Sequence, residues 1–313
     1  MSAASPLPAV LLLGGGKMGG AMLAGWRERG LAPSIVVDPS APALAGPGVQ
    51  VVSSVAEVPA GFRPAAVVLA VKPQQAEAAL PGLLALAPGA VVLSIMAGVT
   101  VARIEALLGA GGVLGTAVPG APVPGLAVSG VLVSGVPVSG VPVSGVPVSG
   151  ASACGAAVVR AMPNTPAAIG RGISVAFRGA GVDERQAALC GALLASVGEV
   201  AWVEDEGLMD AVTAVSGSGP AYVFLLAELM ERAGVEQGLP PALARQLARA
   251  TVAGSGALLA ASAEEAAALR VAVTSPGGTT QAALGVLMAD GAWPALVSRA
   301  VEAAARRSRE LAG

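Results

Sequence analysis

Val10-Leu11-Leu12-Leu13-Gly14-Gly15-Gly16-Lys17-Met18-Gly19 joins an apolar run to a G-x-G-x-x-G turn. A helix-like stretch, residues 17–29, follows directly. A buried strand, a glycine turn and a helix in that order let backbone N–H groups and a helix N-terminus meet a pyrophosphate. Gly14, Gly16, Lys17, Met18 and Gly19 are therefore the first expected cofactor contacts. Outward from this turn, short apolar runs at 35–37, 49–53, 66–71 and 91–95 predict further strands. A helix is expected over 74–86. Strands alternating with helices predict a parallel, doubly wound sheet.

Ligands of such sheets bind beyond the carboxyl ends of the strands. Asp38 ends the second strand, where a carboxylate accepts from ribose hydroxyls and favours NAD over NADP. Asp38-Pro39-Ser40 reads equally well as a plain turn. Ala70, Val71, Lys72 and Pro73 close the fourth strand, with Lys72 beside the nicotinamide ribose or the phosphates. Ala97 and Gly98 follow the fifth, small enough for a ring to approach the backbone.

A low-complexity tract interrupts the chain at about 110–155, with Val-Pro-Val-Ser-Gly three times up to Gly150. It reads as a surface loop. The charge-free span between Glu105 and Arg160 does not read as a membrane helix, because proline and glycine break it repeatedly. Strands are expected at 156–161, 172–177 and 199–203, with a helix over 183–197 capped by Asp183. From there the pattern is helical: 208–215, 221–233, 241–261, 264–273, 279–289 and 293–311. The change near Glu206 divides the chain into a dinucleotide-binding domain, 1–206, and a helical substrate and dimerisation domain, 207–313.

Three further motifs stand out. Asn164, held between Pro163 and Pro166, presents an amide from a rigid turn. Ser216-Gly217-Ser218-Gly219-Pro220-Ala221-Tyr222 reads as a joint between two helices, serving packing and subunit contact. Ser275-Pro276-Gly277-Gly278-Thr279-Thr280 opens a helix with two glycines and two hydroxyls, a cradle for a small carboxylate.

Absences prune the chemistry. The chain of 313 residues has no histidine and two cysteines, Cys154 and Cys190, in no CxxC pair. A metal site of the usual His/Cys kind and a Ser-His-Asp or Cys-His centre are excluded. Net charge is −2 with no basic face, which argues against nucleic acid. The start lacks the basic region of a secretory signal, so a cytoplasmic protein with no membrane association is expected. Lys17 and Lys72 are the only lysines, which disfavours a β-hydroxyacid dehydrogenase, whose helical domain carries one.

GGGKMG, LAVKP, AGVT, VRAMPNTP, VSGSGPAY and VTSPGGTT, in that order, resemble the pyrroline-5-carboxylate reductases. The resemblance implies a Rossmann-type sheet followed by an all-helical dimerisation domain that intertwines with a second subunit in a homodimer or higher homo-oligomer. It implies NADP as cofactor, with NAD possible, and a cyclic imine as substrate. Ser275, Gly277, Gly278, Thr279 and Thr280 would hold the substrate with Asn164, and the Thr280 hydroxyl would meet the imine nitrogen as the catalytic group. A cyclic imine can arrive protonated, so it needs alignment with a hydride donor and no protein acid. Two departures bear on this: the inserted tract, and Ser53-Ser54 where the family often has Asn. The tract leaves open a non-catalytic dinucleotide-binding paralogue.

Overall fold

The computed structural model describes residues 6–109 and 156–311. One sheet contains β1 (Val10–Leu13), β2 (Ser34–Val37), β3 (Val49–Val52), β4 (Ala66–Leu69), β5 (Val91–Ser94), β6 (Val158–Met162), β7 (Gly172–Arg178) and β8 (Gly198–Val203). Their order across it is β3-β2-β1-β4-β5-β6-β7-β8. Every residue of β1, β4 and β5 is buried, as expected for strands covered on both faces. One face packs on α1 (Lys17–Glu28) through Met22, Leu23 and Trp26. The other packs on Leu80, Leu83, Ile104 and Leu108, the last two from α2 (Val101–Gly109).

The sheet is parallel except where β7 turns back against β6. The connection, residues 163–171, is too short for the crossover a parallel neighbour needs. The expected helix over 74–86 is instead two single turns, Ala76–Ala79 and Leu83–Leu86. Pro81-Gly82 splits them, with Gly82 at φ 81°. Asp183 does cap α3 (Glu184–Leu194): Gln186 N–H donates to its Oδ1 at 2.8 Å, and the Gln186 side chain returns the bond at 2.9 Å. The repeat tract lies outside the described residues. It falls within the crossover from β5 to β6, and those two strands pair regardless.

After β8 come α4 (Gly219–Glu236), α5 (Pro241–Ala261), α6 (Ala266–Ala272), α7 (Thr279–Leu287) and α8 (Trp293–Leu311). Helices α4 and α5 form a hairpin, and α8 folds back over residues 209–217. Among the described residues, α6 and α7 make few close contacts with other elements, and Arg270 Nη1 of α6 meets Met288 Sδ just beyond α7 at 2.8 Å. The expected joint at 216–222 is absent. Thr213–Gly217 is a π-helical turn that runs on into α4.

This helical arm has almost no core of its own. Only Ala244, Ala248 and Ser308 are buried along α4 to α8. Phe224 is 67 % exposed and Leu258 53 %. Apolar surface on this scale marks a face that another surface covers. Glu206–Glu236 is long and apolar enough to cross a membrane by length and composition, with 6 % of its most apolar window buried. Glu228, Glu231 and Arg232 lie on the same stretch.

Trp26 anchors α1 to α3: it is fully buried and its Nε1 donates to the Leu193 carbonyl at 2.9 Å. Trp26→Ala is expected to cost about 3–5 kcal/mol of stability in chemical denaturation.

Candidate active site

The strand order reverses between β1 and β4, and the crevice beyond their carboxyl ends is where ligands of such sheets bind. The glycine turn sits there, and each glycine has its own reason. Gly14 holds φ 96°, and a Cβ on it would stand 2.6 Å from the Ala70 carbonyl oxygen. Gly16 faces open space and precedes α1 with no side-chain cap. Its position leaves the helix N-terminus free for an anion. A Cβ on Gly19 would stand 2.1 Å from the Gly14 carbonyl oxygen, so only glycine lets the helix close on the turn.

Lys17 and Met18 open the same helix, with Lys17 exposed. Ala70, Val71, Lys72 and Pro73 follow β4, and Ala97 and Gly98 follow β5, all along this edge. The Lys72 ammonium is exposed, while its backbone N–H donates to Gln75 Oε1 at 3.3 Å. Ser54, at the end of β3, spends its hydroxyl on Glu57 at 2.9 Å.

Asp38 is both a turn residue and a neighbour of the glycine turn. Its Oδ2 accepts from Gly15 N–H at 2.6 Å, and its Oδ1 accepts from the Ser40 N–H at 2.8 Å and hydroxyl at 2.6 Å. Burial pushes its pKa up, but the Ser40 hydroxyl and the two backbone N–H groups outweigh that and hold it below 3.8.

The loop at 275–280 turns tightly into α7. Gly277 takes φ 69°, Gly278 N–H closes a turn on the Ser275 carbonyl at 3.0 Å, and Gly278 precedes α7 without a side-chain cap. Ser275, Gly277 and Thr279 are exposed, and Thr280 is partly so. Gln281 Oε1 accepts the Gly277 N–H at 2.5 Å. The loop lies between α6 and α7, which make few close contacts with other elements among the described residues, and its described hydrogen bonds stay within residues 270–282.

Asn164 departs from its expected role. Its Oδ1 accepts from Ile173 N–H at 2.9 Å and its Nδ2 donates to the Ser216 carbonyl at 3.2 Å. The amide is engaged by the protein on both sides, so it ties β7 to the turn at Ser216. Sequence reasoning also passed over Arg160 and Glu206, whose ion pair spans 2.9 Å with the Arg160 side chain only 6 % exposed. The available signal was a charge in a strand otherwise apolar.

Residues 206–311 match the family described as pyrroline-5-carboxylate reductase dimerisation, and residues 9–98 match NADP oxidoreductase coenzyme F420-dependent. The chain is 37 % identical to the pyrroline-5-carboxylate reductase of Pseudomonas aeruginosa over 97 % of both chains. It is 48 % identical to that of Synechocystis over 50 % of this chain and 57 % of the other. The chain belongs to the pyrroline-5-carboxylate reductase family. Among solved structures, the Coxiella burnetii reductase matches at TM-score 0.76 and 29 % identity, covering 96 % of this chain and 97 % of that one. The Plasmodium falciparum enzyme, solved with NADP bound, shares the fold at TM-score 0.73 and 24 % identity, covering 99 % and 100 %.

Two outcomes follow for this family member. Gly19→Ala is expected to abolish measurable dinucleotide binding in a fluorescence titration while the sheet stays folded by circular dichroism. The Asp38 carboxyl ionises at lower pH folded than unfolded. Its stabilisation is thus complete above pH 3.8 and is lost as pH falls through the folded value. The stability gap between wild type and Asp38→Asn should therefore shrink in denaturation series taken below that pH.

Proposed function

We propose that this chain reduces L-1-pyrroline-5-carboxylate to L-proline, using NADPH or NADH held at the glycine turn. The observation that carries the reading is the pairing of two anion sites of different size. An uncapped α1 N-terminus with an open glycine suits a pyrophosphate, and an uncapped α7 N-terminus with two threonines suits a carboxylate.

The roles divide by domain, with residues 1–206 holding the cofactor and 207–313 the substrate and the subunit contacts. Gly14, Gly16, Lys17, Met18 and Gly19 receive the pyrophosphate, Asp38 stands at the adenine ribose, and Ala70 to Pro73 with Ala97 and Gly98 flank the nicotinamide. Bound there, the dinucleotide supplies the hydride that the iminium carbon accepts. Ser275, Gly277, Gly278 and Thr279 orient the substrate through its carboxylate, and the Thr280 hydroxyl accepts from the iminium N–H. The electron pair of the C=N bond stays on nitrogen, so no protein acid is consumed, which suits a chain without histidine.

The exposed apolar faces of α4 and α5 and the few close contacts of α6 and α7 support a homodimer or higher homo-oligomer. In it, the carboxylate loop of one copy stands over the glycine turn of the other.

Wild type should oxidise NADPH when given pyrroline-5-carboxylate, and Thr280→Ala should lower kcat/KM by about 100-fold or more. A folded wild type that binds NADPH and yields no proline would overturn the reading. Phe224→Asp with Leu258→Asp is expected to reduce the mass in light scattering to that of one chain. Turnover should vanish while NADPH binding persists.

A further inference from the structure

Arg160, Met162 and Asn164 stand two residues apart along β6 and its extension, where Asn164 keeps an extended backbone (φ −129°, ψ 167°). An extended chain sends such residues to one face. All three meet the beginning of the helical arm. Arg160 Nη1 pairs with Glu206 Oε1 at 2.9 Å. The Met162 methyl lies 2.6 Å from where a Cβ on Gly217 would stand. Asn164 Nδ2 donates to the Ser216 carbonyl at 3.2 Å.

The receiving surface is built for this contact. In a regular helix the Ser216 carbonyl would accept from residue 220, but Pro220 has no N–H. The turn is instead π-helical, with Ser218 N–H on the Thr213 carbonyl at 2.8 Å. That shift draws the donor away from the Ala214 carbonyl, which takes the Tyr222 hydroxyl at 3.1 Å. Asn164 supplies the donor that Pro220 lacks. Residues 216–222 are thus a socket, and the alternate residues of β6 are its plug.

The same splice reaches the cofactor edge. Glu206 Oε1, besides Arg160, accepts from Val101 N–H at 2.8 Å. Val101 starts α2, immediately after the loop that carries Ala97 and Gly98. One carboxylate oxygen therefore ties the nicotinamide edge, β6 and the root of the arm together.

We propose that Arg160, Met162 and Asn164 are positioning residues that set the angle between the cofactor-bearing sheet and the helical arm. Resting on the reductase reading above, this angle sets where each copy's substrate loop stands over its partner's cofactor, and so the gap the hydride crosses. The test is Asn164→Asp, which keeps an acceptor for Ile173 N–H and removes the donor to Ser216. Met162→Ala is the second variant, opening the plug without touching a hydrogen bond. Each is assayed for NADPH affinity, kcat, substrate KM and the isotope effect on kcat with NADPH deuterated at the transferred position.

The expected result is near wild-type NADPH affinity, kcat lowered by about 10- to 100-fold, and an isotope effect that rises as hydride transfer becomes limiting. Should Asn164→Asp fail to bind NADPH, Met162→Ala carries the same expectation. A lowered melting temperature with unchanged kcat and isotope effect in both variants would show mere structural support and overturn the proposal. Absence of turnover in wild type would instead remove the reductase reading, and this inference with it.

Discussion

The arm from Gly219 onward cannot bury its own apolar faces, and the rest of the molecule is arranged around that fact. Its helices leave Phe224, Leu258, Leu259 and Val297 more than half exposed. At roughly 25 cal/mol per Å² of apolar area, surfaces of this kind hold a stable arrangement only when something covers them. Residues 206–311 match the family's dimerisation domain, and a second copy is the proposed cover for these faces. Packing divides the chain: the sheet carries two complete cores and the arm almost none.

Within the sheet half, two close approaches and one opening shape the glycine turn. Gly14 against Ala70 brings two strand ends together at the topological switch, Gly19 against Gly14 lets α1 close down, and Gly16 leaves the helix end open. Asp38 stiffens this turn by accepting from Gly15. The chemistry then asks little of the protein. In the proposed reaction a substrate already carrying its proton needs position and charge complement, and the proposed site offers them through backbone N–H groups and hydroxyls that do not titrate near neutral pH.

Much of this was legible in the sequence. The strands buried on both faces read as unbroken apolar runs, and the glycine spacing located the tight turn at the strand-order reversal. The long helices α5 and α8 run between the residues expected for them. What escaped has physical reasons. The apolar pattern of 74–86 continues across Pro81-Gly82, so periodicity concealed a break that sterics enforce. Strand direction leaves no mark on composition, so the reversal of β7 was invisible. The π turn at 213–217 depends on one missing N–H at Pro220 and on a side chain some fifty residues away, a relation no local pattern records. Asn164 was recognised as a rigidly presented amide, but its target is a carbonyl of the arm.

The central claim is that one site draws its cofactor turn and its carboxylate loop from two copies of the chain. The most direct measurement is complementation between Gly19→Ala, which lacks the cofactor turn, and Thr280→Ala, which lacks the substrate hydroxyl. Each is purified alone and also co-expressed with the other as tagged heterodimers. The account predicts that the heterodimer recovers turnover far above that of either parent, because one of its sites combines an intact turn with an intact loop. Heterodimers that bind NADPH yet remain as inactive as the parents would contradict it.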